Sequence, residues 1–312
     1  MRMSHEMSVF RKGWLAFELN VLRRLKFGSI CLPFTGDSLL GVYLKRWNVR
    51  VSANDLMQWS WTKAIASVQN NNEKLTEEQL ELVLNNVYVP SYKLANPALK
   101  SWFGETDAWW FDNLRRNINQ IDSPLAHALA LNIGMAVGDH ALSFDETTRE
   151  LREPLSNVFR RIWSDSSEPF DNSQSNSCTN KPANEFLAEN RSELMFLRLP
   201  RMHNLNVKAS YGLSAWREEW LNGGGEFWDE TDRQFAGRLG THTQTKSQYL
   251  HMIEDMLHAA SHLPAWAIAH VEDNLISTQD VVDAIGRVRR VETIFTKDFS
   301  ELTGTKAVII TA

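Results

Sequence analysis

The feature that most constrains this chain is an alternation of short apolar runs with amphipathic stretches near its amino end. Ser29-Ile-Cys-Leu-Pro-Phe34 is too short and too uniformly apolar for a surface helix and reads as a buried strand, followed by a turn at Thr35-Gly-Asp-Ser38. A helical pattern over Ser38–Trp47 leads to a second strand, Val49–Ala53, and Asn54-Asp55 stands where a cap for a helix from Leu56 towards Asn70 belongs. Apolar residues at helical spacing over Val9–Leu25 precede the first strand. Strands joined through helices run parallel, because each crossover returns the chain to the same edge, and the ligand sites of such sheets lie at the carboxyl ends of the strands.

The alternation returns late in the chain. Glu193–Arg198 and Ala265–His270 read as strands, Ser247–His262 and Thr278–Ile285 as helices, and Val288–Phe295 with Lys306–Thr311 as a closing strand pair. Between the two halves, Leu75–Trp163 reads as almost wholly helical, including Asp107–Gln120 and an apolar Pro124–Leu142 capped by Ser123. Ser164–Ala183 is rich in Ser, Asn, Asp and Pro and reads as a loop. The expected fold is α/β, a Rossmann-like, mostly parallel sheet assembled from residues 1–72 and 183–312. A helical insertion spans 73–163, and a polar loop spans 164–182.

Composition excludes several classes. With 43% hydrophobic and 23% charged residues in 312, the chain is neither disordered nor fibrous. No apolar run approaches the roughly 20 residues of a membrane helix, and Met1–Phe10 lacks the apolar centre of a secretory signal, so a cytoplasmic protein without a membrane is expected. The two cysteines, Cys31 and Cys178, form no metal or redox pair. A net charge of −5 argues against indiscriminate coating of nucleic acid. Locally, however, Arg11, Lys12, Arg23, Arg24, Lys26, Lys45, Arg46 and Arg50 face only Glu18 and Asp37 in the same stretch, which makes either a phosphate-binding patch or the solvated faces of two helices.

A buried strand, a glycine turn and a second strand ending in an acid form the frame of a nucleoside site: Phe34-Thr-Gly36 for close approach, and Asp55 for ribose hydroxyls. A plain turn and a plain helix cap are the alternatives. The longer string Pro33-Phe-Thr-Gly-Asp-Ser-Leu-Leu40, Leu44-Lys-Arg, Val49-Arg-Val-Ser-Ala-Asn-Asp55 resembles the S-adenosylmethionine-binding half of the Dam-like adenine-specific DNA methyltransferases, which carry Pro-Phe-x-Gly-x-Gly, a helix and a strand ending in Asn-Asp. The resemblance continues through Trp109–Asp122, in that family's recognition region, and through Phe186–Leu197. It implies a methyltransferase-like sheet with Phe34, Gly36 and Asp55 as cofactor contacts.

The departures from that family bear on activity. Where its Asp-Pro-Pro-Tyr accepts from the target amine and stacks on the flipped adenine, this chain has Arg198-Leu199-Pro200-Arg201. A guanidinium only donates, and no aromatic ring replaces the tyrosine. Arg198 and Arg201 would serve in an ion-pair network or, with Arg23, Arg24 and Lys26, grip nucleic-acid phosphate. Ser38 replaces the second motif glycine. In Trp14-Leu-Ala-Phe-Glu18, Phe17 and Glu18 stand in place of the family's glycine and lysine. Binding of S-adenosylmethionine is therefore an open expectation.

Three further features have ordinary explanations beside functional ones. His251, His258 and His262 fall near one helical face, as an exposed polar face or a metal site without other support. The twelve tryptophans are core or, where exposed, stacking surfaces. Gly223-Gly-Gly225 is a turn rather than a phosphate loop. The resulting expectation is a catalytically degenerate methyltransferase-like subunit with no metal, recognising or scaffolding beside an active methyltransferase or other effector, with DNA as a further partner. One alternative is an active adenine methyltransferase whose acceptor comes from Asp37, Glu193 or a partner chain. Another is a protein-interaction module that does not touch nucleic acid.

Overall fold

The computed structural model describes residues 13–145, 147–273, 275–303 and 305–312, so Arg11 and Lys12 of the basic cluster and Met1–Phe10 lie outside the described residues. The first half comprises a helix over residues 13–22 (α1), β1 Ser29–Leu32, α2 Leu39–Arg46, β2 Arg50–Asn54, α3 Gln58–Ala64, α4 Glu77–Leu84, α5 Glu105–Ile118, α6 Pro124–Leu142 and α7 Leu155–Ser164. There follow β3 Ser177–Thr179, α8 Ala183–Glu189, β4 Leu194–Arg198, α9 Val207–Tyr211, α10 Ala215–Asn222, α11 Trp228–Phe235, α12 Lys246–Ala259, β5 Ala265–Glu272, α13 Thr278–Gly286, β6 Thr293–Phe299, α14 Ser300–Thr303 and β7 Thr305–Thr311.

The seven strands form one sheet in the order β3-β2-β1-β4-β5-β7-β6. From β3 to β5 every pairing is parallel, while β7 runs antiparallel to both its neighbours. Without β7 this is the doubly wound order, whose direction of winding reverses between β1 and β4, the place where such sheets open a crevice. The alternation expected of strands covered on both faces is literal here. Ile30, Leu32, Leu194 and Phe196 enter the core beneath α1 and α2, whereas Cys31, Met195 and Leu197 enter the core beneath α8, α12 and α13.

A third core belongs to helices alone, and it departs from the division that sequence order suggests. It gathers the stretch from Met57 to Phe159 and also Val207, Ala215, Trp216, Trp220, Trp228 and Phe235, from the segment after β4 that sequence order places in the sheet unit. The reason is packing on α6. This helix is apolar on nearly every side, and Gly134 and Gly138 lie one turn apart on it. A Cβ at Gly134 would stand 2.4 Å from the Trp220 ring, and one at Gly138 would stand 2.1 Å from the Trp216 ring, so the two indoles of α10 fill the grooves the glycines leave. Each of the twelve tryptophans is buried or half-buried, in keeping with the core explanation.

The polar segment 164–182 is not all loop. Ser177–Thr179 pairs in parallel with Ser52–Asn54 as edge strand β3, a pairing that no apolar pattern announces because its residues are exposed or half-buried. The helix expected from Leu56 to Asn70 is α3 followed by a π-helical turn at Ile65–Gln69. Ser67 explains the change: its hydroxyl donates to the Lys63 carbonyl at 2.6 Å, competing with the regular helical bond. Among the described residues no helix is long and apolar enough to cross a membrane.

Candidate functional site at the carboxyl edge of the sheet

Gly36 and Asp55, named from sequence as partners of one ligand, are partners of each other. The β1–α2 turn takes Gly36 to φ 61° and Ser38 to φ 62°, and a Cβ at Gly36 would meet nothing within 4 Å. The Asp55 carboxylate, just past β2, accepts the Gly36 N–H at 3.0 Å and the Met57 N–H at 3.1 Å. The Ser60 hydroxyl lies 2.7 Å from the same carboxylate and 2.6 Å from the Gly36 carbonyl. One hydroxyl has one proton for two acceptors, so both contacts are hydrogen bonds only when Asp55 is protonated and donates to Ser60. Burial pushes the Asp55 pKa up, against the hydrogen bonds from Gly36, Ser60, Met57 and Thr35 that hold it down.

Asn54 stitches the adjoining strand ends together. Its amide donates to the carbonyls of Pro33 and Lys181, and its oxygen accepts from Thr179 and from the Lys181 N–H. Phe34 lines a cavity of about 20 Å³ beside Asn54 and Leu56, room for about one water. Each Asp55 oxygen already accepts one backbone N–H, whereas Gly36 leaves its own backbone open.

Across the switch point, Arg198 ends β4 and meets Glu18 of α1. The guanidinium forms a two-pronged pair, Nε to Oε1 at 2.7 Å and Nη2 to Oε2 at 2.6 Å. Glu18 is fully buried and the Arg198 side chain is 26% exposed. Burial opposes the arginine's charge, but Glu18, with Asp37 further off, outweighs it and raises its pKa. Glu18 and Arg198, read separately in the sequence, are therefore partners in one interaction. This engagement weighs against a phosphate role for Arg198, whose planar fork already has its acceptor. Leu199 extends the ladder to the Ala269 carbonyl at 2.9 Å, and the Pro200 carbonyl accepts the Tyr249 hydroxyl at 2.6 Å. Arg201 is exposed and has no hydrogen bond or ion pair among the described residues.

The basic residues do not assemble into one surface. Arg23, Arg24 and Lys26 precede β1 and sit at the amino edge of the sheet, opposite Arg198 and Arg201. There Arg23 lies over the Trp47 ring at 4.9 Å and Arg24 over Phe295 at 5.6 Å. Lys45 is not solvated: it is 1% exposed, with its ammonium on the Asn70 carbonyl. Glu193, an alternative acceptor, lies at the same amino edge, where it accepts the Gly28 N–H at 2.8 Å. Its position excludes it from the chemistry of the carboxyl edge. Of the histidines, His262 falls beyond the end of α12, and no group of three or more His, Cys, Asp or Glu among the described residues is placed to hold a metal.

Two residues passed over in the sequence complete the site. Glu218, from α10, accepts the N–H groups of Gln58 at 2.9 Å and Trp59 at 3.0 Å, capping the start of α3. Burial pushes its pKa up to about 7 against those hydrogen bonds. Tyr211 is raised by burial and by the charges of Asp55 and Glu218. The only sequence signal for Glu218 is a pair of adjacent carboxylates between two tryptophans, Trp216-Arg-Glu-Glu-Trp220. No protein-family model matches the chain, and no curated protein matches it.

Proposed function

We propose that this chain is a catalytically degenerate adenine DNA methyltransferase-like protein that acts as a recognition or scaffolding subunit of a larger complex. The Glu18–Arg198 pair is the observation that carries the reading. An adenine methyltransferase needs an acceptor for the target amine at the end of this strand. Here that position holds a donor, and the donor is tied to a buried acid across the crevice. The sheet supports the fold half of the proposal, because a doubly wound order with its last strand turned back between the fifth and sixth is the arrangement a methyltransferase-like core would have. The engagement of both Asp55 oxygens by the Gly36 and Met57 N–H groups supports weak or absent binding of S-adenosylmethionine.

A chain without the acceptor acts through another, so the proposed partner is an active methyltransferase or other effector, in a bacterial DNA-modification or phage-defence setting. DNA is a proposed second partner, with Arg201 and the amino-edge cluster as its contacts. The test is to incubate the purified protein with duplex DNA and S-adenosylmethionine and to analyse the nucleosides by mass spectrometry. The expected result is no methyladenine above a control lacking protein. Protein-dependent methyladenine would return the chain to the active enzymes.

A further inference from the structure

Away from the sheet, a cleft of about 420 Å³ opens in the helical layer between the loop that precedes α5, the middle of α5 and the end of α10. Its size lies in the range of small-molecule sites, about 300–1,000 Å³. Lys93, Arg115 and Arg116 line it, against a single acid, Asp112. That acid is already occupied, its two oxygens accepting the N–H groups of Ala95 at 2.8 Å and Asn96 at 2.9 Å.

The cations have no such partners. Arg115 reaches only the Asn119 side chain and, at 3.4 Å, the Leu221 carbonyl, and it forms no ion pair among the described residues. Lys93 and Arg116 are exposed and have no hydrogen bond or ion pair among the described residues. Three cations lining one cleft with a single acid leave an excess of two positive charges there, in a protein whose net charge is −5.

We propose that this cleft binds a nucleotide through its phosphomonoester, held by Lys93, Arg115 and Arg116. Two features select that class. A phosphomonoester carries about −1.5 to −2 at neutral pH, which matches the excess of two cations over carboxylates better than a carboxylate or an internal phosphodiester does. Tyr92 does not line the cleft, but it is joined in the chain to the lining residues Ser91 and Lys93 and is fully exposed, so an aromatic ring is available beside this edge of the cleft to stack on a base. The same chemistry belongs to a free nucleoside monophosphate and to the phosphorylated end of a nucleic-acid strand. The site shares no residue with the crevice at the sheet edge and does not rest on the methyltransferase-like reading.

Calorimetric titration of the full chain separates these sources. The probes are AMP, adenosine, inorganic phosphate, and a trinucleotide with and without a 5′-phosphate. AMP or the phosphorylated trinucleotide is expected to saturate the protein with Kd below about 1 mM. Adenosine and the unphosphorylated trinucleotide should bind at least about tenfold more weakly, because they offer no charged acceptor to the three cations. Inorganic phosphate should also bind about tenfold more weakly than the better nucleotide, for want of a base to stack. Preference for AMP identifies a free nucleotide as the source, and preference for the phosphorylated trinucleotide identifies a strand end. The double variant Lys93→Gln, Arg116→Gln changes two exposed side chains and should weaken either ligand at least about tenfold with an unchanged melting curve. The proposal is overturned by the absence of saturable binding to both phosphorylated probes, by undiminished binding in the double variant, or by inorganic phosphate binding as tightly as AMP.

Discussion

Glu18 and Arg198, 180 residues apart in the chain, form a two-pronged ion pair between the helix before the first strand and the end of the fourth. The pair bridges the point where the sheet reverses its winding, with the acid wholly out of solvent. Removing one partner of a buried pair strands a charge, whereas replacing both with apolar groups of similar shape does not. Glu18→Leu alone is therefore expected to destabilise the protein by about 3 kcal/mol, and Glu18→Leu with Arg198→Met by much less. Urea unfolding of the two single variants and the double variant measures the coupling. Simple additivity would mean the pair is not an energetic unit.

Gly138→Ala tests the seating of the helical layer. Alanine normally favours a helix over glycine by about 1 kcal/mol. Here the new methyl would stand 2.1 Å from the Trp216 indole, which is fully buried and cannot swing into solvent. Overpacking of this kind costs about 1–3 kcal/mol and should win. The expected outcome is a lower melting temperature, and a stabilised variant would show that the indole has room to move.

Glu218 makes stability fall with rising pH. Its folded pKa of about 7 lies above the ordinary value of about 4.3, so between those values the folded state binds more protons than the unfolded state. The contribution is complete below the unfolded value and is lost as pH rises through the folded one, a change on the order of 3 kcal/mol. Asp55, raised by burial, acts with the same sign. His127, His140 and His270, lowered by burial, act with the opposite sign, so the Glu218 contribution is read by comparing wild type with Glu218→Gln in chemical denaturation from pH 4.5 to 8. The stability advantage of wild type over the variant should fall across this range, and a difference that does not change with pH contradicts the assignment.

The amino-edge cluster has its own signature in salt. If duplex DNA binds there, neutralising Arg23, Arg24 and Lys26 together should reduce the slope of log affinity against log salt by about 0.9 for each DNA phosphate that these side chains neutralise. Arg198→Met should leave the slope unchanged, because Glu18 already holds that guanidinium. Fluorescence anisotropy with unrelated duplexes across a salt series provides the measurement. A change confined to Arg198→Met would invert the expected roles.

Much of the sheet was legible because its strands are covered on both faces. Ile30–Leu32 and Leu194–Leu197 are continuous apolar runs that suit no exposed element, and Pro124–Leu142 with its Ser123 cap was readable to the residue. Strand β3 was not legible, since an edge strand of three exposed or half-buried residues leaves no apolar period. The proximity of Gly36 and Asp55 was also within reach, because adjacent parallel strands bring their carboxyl ends together. The other partners of Asp55 were not: Met57 and Ser60 stand at the start of α3, and no residue pattern announces their contacts.

The amino-acid order by itself determined an α/β chain with a long helical stretch between its two strand-bearing parts, and it singled out Glu18 and Arg198 as two separate charges. Only the tertiary structure decided that these charges answer each other, that the basic residues divide between opposite edges of the sheet, and that Trp216 and Trp220 belong to the inserted helices. Periodicity is a local property, set by which face of each element is buried. Which distant face buries it, and which charge neutralises which, is settled only when the crossovers have placed the strands and the remaining polar groups must find partners in the space that is left.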